Sequence, residues 1–148
     1  MISPTDVRPW VARLKAGCPS LGERVFLTVP DPILTIDYYE SPVAFVYLEQ
    51  EDSHPNLLVN DFRQLVKATV TVELVIRRSA SVNDVYCEAD AGVLFECRKE
   101  ILTALCGWLP DYSGLPVAHV TAHLSQKTEQ VIKFIDRFSF TRFNRLDY

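Results

Sequence analysis

The stretch "KATVTVELVIRRS", Lys67 to Ser79, decides the fold. Val70, Val72, Leu74 and Ile76 alternate with Thr69, Thr71, Glu73 and Arg77. A period of two belongs to a strand, here with one face buried and the other largely in water. Such a strand should be central to an antiparallel sheet, and its dry face needs a partner layer.

Two helices can supply that layer. Val7, Trp10, Val11 and Leu14 fall at i, i+3, i+4 and i+7, one apolar helix face, and Gly17-Cys18-Pro19 stops it. Pro9 is harmless only in the first turn, so Asp6 is the expected N-cap and the helix is expected at about residues 6–16. A second helix should begin between Asp84 and Asp90 and end at Cys106. Leu94, Cys97, Ile101 and Leu105 point inward, with Glu96, Lys99, Glu100 and Thr103 on the opposite stripe.

Further strands flank these elements. "RVFLTV" (Arg24–Val29) and "PVAFVYLE" (Pro42–Glu49) are short β-branched and aromatic runs; "PDPILTIDYYES" between them has no firm period, and "QEDSHPN" after them should be an exposed loop. "AHVTAHLS" alternates Ala118, Val120, Ala122 and Leu124 with His119, Thr121, His123 and Ser125. Ile132, Phe134, Phe138 and Phe140 then share the parity of a last strand, which makes a C-terminal antiparallel hairpin. The expected class is α+β: a mainly antiparallel sheet packed by two helices, in the order α-β-β-β-α-β-β, as a single domain over residues 1–148.

Composition narrows the function. A chain of 148 residues can bury one core without disulfides or metals. Its net charge of −4 argues against a dedicated nucleic-acid binder, which carries a basic excess for phosphates. No run is long and apolar enough to span a membrane, and "MISPTDVRPW" lacks the basic-then-apolar design of a signal peptide, so no membrane partner is expected. Cys18, Cys87, Cys97 and Cys106 are scattered without a close pair, so free core thiols are expected.

Chemistry finds little to stand on. GxSxG, HExxH, GxxxxGK[ST] and GxGxxG are all absent, and the acids of "EQEDSH" sit in a polar run that solvation explains. On a strand, His119 and His123 share a face about 13 Å apart, too far to ligate one metal. No catalytic residue, cofactor or metal is expected.

The residues left over suggest an interface. "RFSFTRFNRLDY" interleaves Arg137, Arg142 and Arg145 with Phe138, Phe140 and Phe143, the composition of a single-strand nucleic-acid groove, though it reads more readily as a core parity or as an aromatic arm that docks on a neighbouring subunit. In "LCGWLPDYSGLP", Gly107 fits the left-handed position after a helix, and Trp108 falls where a side chain packs back near Leu102 or Thr103; Pro110 forbids continuation. The candidate interface residues are Trp108, Phe138, Phe140, Phe143, Arg142, His119 and His123.

The helix closing with "LKAGCPSLGERV", the strand beginning "PVAFVY", the alternating "VTVELVI" and the helix ending "LCGWLPD" together resemble the tail terminator, or tail completion, proteins of long-tailed bacteriophages, over nearly the whole length. The resemblance implies a protomer that forms a hexameric ring on the last ring of the tail tube protein, stops tail polymerisation and meets the head-tail connector or stopper protein. Genomic DNA would pass through without specific binding. The implied place is the virion, at the head-proximal end of the tail, after assembly in the host cytoplasm. Inter-ring contacts would fall on loops 31–41 and 49–58 and on the turn 125–129. The alternatives are another neck or tail-completion component, or a small α+β ligand-binding module or enzyme with a cleft of convergent polar groups.

Overall fold

The computed structural model describes residues 2–29, 40–56, 58, 61–78, 88–128 and 130–146. Within them the order is α1 (Arg8–Gly17), β1 (Val25–Leu27), β2 (Val43–Ser53), β3 (Arg63–Arg77), α2 (Glu88–Leu105), β4 (Ala118–Lys127) and β5 (Val131–Arg145). One five-stranded sheet runs β1-β2-β3-β5-β4. Among the described residues only the β1–β2 pair is parallel. The α+β class, the element order and the terminal hairpin are those expected from the sequence.

The alternation of β3 works as read. Val70, Val72, Leu74 and Ile76 face the helices with Ala44 and Val46 of β2 and Phe138 and Phe140 of β5; Trp10, Leu14, Cys97, Ile101 and Leu105 close the layer from above. Each such fully buried side chain contributes roughly 1.5–3 kcal/mol. The helix pair therefore rests on the middle of the sheet.

Several boundaries and one face differ from expectation. Helix α1 begins later than residue 6, with Val7 as its N-cap, and the Asp6 carboxylate instead accepts the Arg8 N–H at 3.0 Å. Strand β2 continues through "QEDS" to Ser53, because a bulge between Leu48 and Gln50 resets its register on β3. The far face of β3 is not wet: Thr71, Glu73 and Val75 are all buried. Val75 joins Val43, Phe45 and Val131 in a second apolar cluster, and Thr71 is shielded between its cross-strand partners Tyr47 and Arg137. Strand β4, by contrast, is exposed on both faces along all ten residues, since it is the sheet's last strand and the helices stop short of it.

Candidate assembly surfaces

Helix α2 ends as a glycine stop. Gly107 has φ +81°, a conformation costly for any residue with a Cβ. Its N–H donates to the Val117 carbonyl at 2.8 Å, and the Val117 N–H returns to the Trp108 carbonyl at 2.8 Å, closing the loop between α2 and β4. Trp108 is half-buried and packs, like Leu102, against the main core cluster; its ring reaches α1, standing edge-on to Trp10 at 5.5 Å with the Arg13 guanidinium 5.0 Å above it. The tryptophan thus ties the end of α2 to the start of α1.

Strand β5 sits inside the sheet, not at an edge, and this decides where its residues go. Phe138 and Phe140 are buried in the core under Trp10. Arg142 is 5% exposed and donates to Thr5 Oγ1, Asn144 Oδ1 and the Ser3 carbonyl, so it pins the chain ahead of α1. These three side chains serve the protomer itself, and the C-terminal arginine–phenylalanine run is no free docking arm. Phe143 points to the other face, with Arg63 and Arg145 at 4.3 and 5.7 Å from its ring.

The two histidines are on opposite faces of β4, which corrects the expectation that they share one. A bulge between His119 and Thr121 adds a residue, so the pleat changes sides between them. His119 turns toward the helix side, its Nε2 2.9 Å from Asp136 Oδ1. His123 faces the other way, its Nδ1 3.4 Å from Arg137.

Two charged groupings organise the hairpin. Asp136 is 1% exposed and is clamped by the Arg98 fork of α2, at 2.8 and 3.1 Å, and by His119 of β4. The carboxylate holds the Arg98 guanidinium even more firmly protonated than usual. On the far face Arg137 chelates Glu49 through two bonds of 2.7 and 3.1 Å, which lowers the Glu49 pKa below the ordinary carboxylate value. Beside them burial raises Glu73, while burial and the Glu73 charge push Tyr47 up to about 12.

The expected contact loops are placed as follows. Residues 30–39 and Glu129 lie outside the described set; 49–53 belong to β2 and 125–127 to β4. In the loop that follows Trp108, Tyr112 and Gly114 were not among the residues singled out from the sequence. Tyr112 is 95% exposed there, and a Cβ on Gly114 would lie 2.5 Å from the Thr141 carbonyl, which holds the loop close on β5. The signal was available in "DYSG", where Asp111 caps Ser113 as turn-forming acids do.

A hollow of about 530 Å³ beside α2 is lined mainly by Pro42, Ala89, Val93, Phe95 and Cys97, without converging charges. Burial pushes the thiols of Cys18 and Cys97 up to about 12 and about 11, away from nucleophilic use. Cys106 departs from the expected core setting and is exposed, because it follows the last inward residue of α2, Leu105; Cys87 lies outside the described residues. Among the described residues no group of three His, Cys, Asp or Glu is placed to hold a metal ion.

The architecture, a helix pair on one face of a five-stranded sheet with a long terminal hairpin, recurs in a solved structure. A solved chain from "Virion of native gene transfer agent (GTA) particle" matches it with a TM-score of 0.58 over 90% of each chain, at 11% identity, which speaks for the fold alone. The sequence itself matches the phage tail terminator protein family over residues 1–145, and the chain belongs to that family. It is accordingly a structural protein of a phage-type tail. No curated protein matches the sequence.

Proposed function

We propose that this protein ends the tail: copies assemble as a hexameric ring on the head-proximal end of the tail tube, stop its polymerisation and present the joint to the head connector. The observation that carries the reading is the family match across residues 1–145. The structure is compatible with it, since the protomer spends its conspicuous polar side chains on holding itself together, as Asp136 and Arg142 show, rather than on converging upon a cleft. The role requires no catalysis and no cofactor. A net charge of −4 per copy lets genomic DNA slide through such a ring without being gripped.

Particles produced without this chain should carry tails of uncontrolled length and heads left unjoined. A reconstruction of the intact particle should place the chain as a six-fold ring between tube and connector. Tails of normal length joined to heads in its absence, or another symmetry or position in the reconstruction, would refute the reading.

A further inference from the structure

The sheet ends in two unlike edges, and they match one another. Strand β4 offers ten exposed residues, pairs with β5 on one side, and makes no backbone hydrogen bond on its other side among the described residues. It contains no proline and one formal charge, Lys127 at its end. Edges this long are ordinarily blunted by prolines, charges or bulges, because their free N–H and C=O groups are a template for another strand; β4 carries two bulges and neither of the others before its end. At the opposite edge β1 bonds β2 through the Arg24 carbonyl and the Ala44 N–H. The alternation of a parallel strand then turns the backbone groups of Val25 and Leu27 outward; Val25 is buried, so the accessible part of this edge begins at Leu27.

Three features of the two edges agree. The first is strand direction: β1 runs with β2 and against β3, β5 runs against β3, and β4 runs against β5. Strand β4 is therefore antiparallel to β1, and a rotation that keeps every copy in the same orientation brings β4 of one copy against β1 of the next as an antiparallel pair. The second is the face. Leu27 is registered with Val46 on the helix side and is 49% exposed; Leu124 is registered with Phe134 on the same side and is 50% exposed. Ala122, registered with the clamped Asp136, lies along that side of β4 too, and Val120, half-exposed, sits in the bulge between His119 and Thr121. A sheet continued across the junction would place these apolar groups next to each other, out of water. The third is charge: neither Val25–Val29 nor Ala118–Gln126 contains an Asp, Glu, Lys or Arg, so no like-charge pair opposes the contact.

We infer that β4 of one copy adds to β1 of the next, so that the sheet runs from protomer to protomer around the ring. The inference rests on the ring reading above and names its junction. The pairing is heterologous, so it can close a ring; β4 against β4 of a second copy would close a two-fold pair and leave β1 unused.

The test uses tails assembled with full-length protein carrying Leu27→Cys together with Val120→Cys, Ala122→Cys or Leu124→Cys in turn, in a Cys87→Ser, Cys106→Ser background. Mild oxidation should give at least one double variant that links into covalent chains of three copies and more on a denaturing gel, while each single variant stays monomeric. In parallel, Val120→Lys with Leu124→Lys should keep the denaturant midpoint of the free protein, since both side chains face solvent, and should lower tail-borne protein more than tenfold. A ring in wild-type particles with no linkage in any pair, and with the lysine variant retained, would overturn the junction and leave the ring reading standing. Linkage that stops at two copies and forms from a β4 cysteine alone would also overturn it, in favour of the two-fold pair. No ring in wild-type particles would remove the reading of function and the junction with it. If the lysine variant fails to fold, the cysteine pairs decide by themselves.

Discussion

Replacing Trp108 with alanine separates a tryptophan that holds the protomer from one that holds a partner. Its ring meets the fully buried Trp10 edge-on at 5.5 Å and carries the Arg13 guanidinium at 5.0 Å. Truncating a wholly buried tryptophan costs about 3–5 kcal/mol. Trp108 is half-buried, so part of that amount is absent, while the edge-to-face pair adds ~0.5–1.5 kcal/mol beyond area. We expect Trp108→Ala to cost about 2–3 kcal/mol, which at ~2–4 °C per kcal/mol for a chain of this size lowers Tm by about 5–10 °C. Trp108→Phe, which keeps an aromatic edge toward Trp10, should lose about half as much. Gly107→Ala, strained at φ +81°, should lose about 1–2 kcal/mol without touching the ring. Denaturant midpoints measured on the three purified variants decide the matter. A Trp108→Ala midpoint within about 0.5 kcal/mol of the parent, joined to loss of tail completion in complementation, would mean that the indole serves a neighbour and that the packing account is wrong.

Three further perturbations follow from the geometry. Gly114→Ala places a Cβ 2.5 Å from the Thr141 carbonyl, so the loop must lift from β5; we expect a loss of about 1–3 kcal/mol and faster exchange of the Leu115 amide, which now donates to that carbonyl at 2.8 Å, and unchanged exchange there would contradict the close approach. Asp136→Asn leaves the Arg98 fork without its buried counter-charge and should cost about 2–4 kcal/mol by thermal denaturation, far more than His119→Ala, whose partner keeps Arg98; equal losses would show that the clamp is not the source. The Glu49 pKa is lowered in the folded protein by Arg137, so this carboxylate adds stability above its unfolded pKa and loses it as pH falls through the lower, folded value. Glu49→Gln should therefore flatten the acid limb of the stability curve and leave its shape above the carboxylate range intact, and a parallel acid limb in the variant would remove the Arg137 bond as its cause.

How far the sequence could be read follows from the range of the interactions involved. The alternation of β3 and the face of α2 are local patterns, and both faces formed as written, because a period fixes a side wherever one layer covers it. Strand pairing is not local. The bulges of β2 and β4 arise from register against a neighbour, and the one after His119 put the histidines on opposite faces although their spacing alone places them together. Thr71 and Glu73 read as wet because nothing in β3 announces Tyr47 and Arg137 beside them. Asp136 was half-legible: a carboxylate in the apolar parity of Phe134, Phe138 and Phe140 demands a partner, but that partner, Arg98, stands 38 residues away. Of the candidate interface residues, Phe138, Phe140 and Arg142 fell to the core for one reason, that β5 lies between two strands instead of at an edge.

That same topology bears on how a terminating ring would avoid forming too early. A single chain exposes ten residues of β4, whereas at the complementary edge β1 is three residues long and Leu27 alone of them is exposed. A three-residue antiparallel ladder between two free molecules gains few hydrogen bonds, each worth about 1 kcal/mol net. It must offset several kcal/mol of lost translational and rotational freedom. The two bulges of β4 weaken it further, since they twist the edge away from a flat template. The proposed junction would thus be too small to close rings in solution. On the end of a tube, where copies would already be held side by side, each added contact would be intramolecular in effect and the same short ladder would suffice. A weak, uncharged, direction-specific edge is what a protein needs if it is to assemble only where a tail has stopped growing.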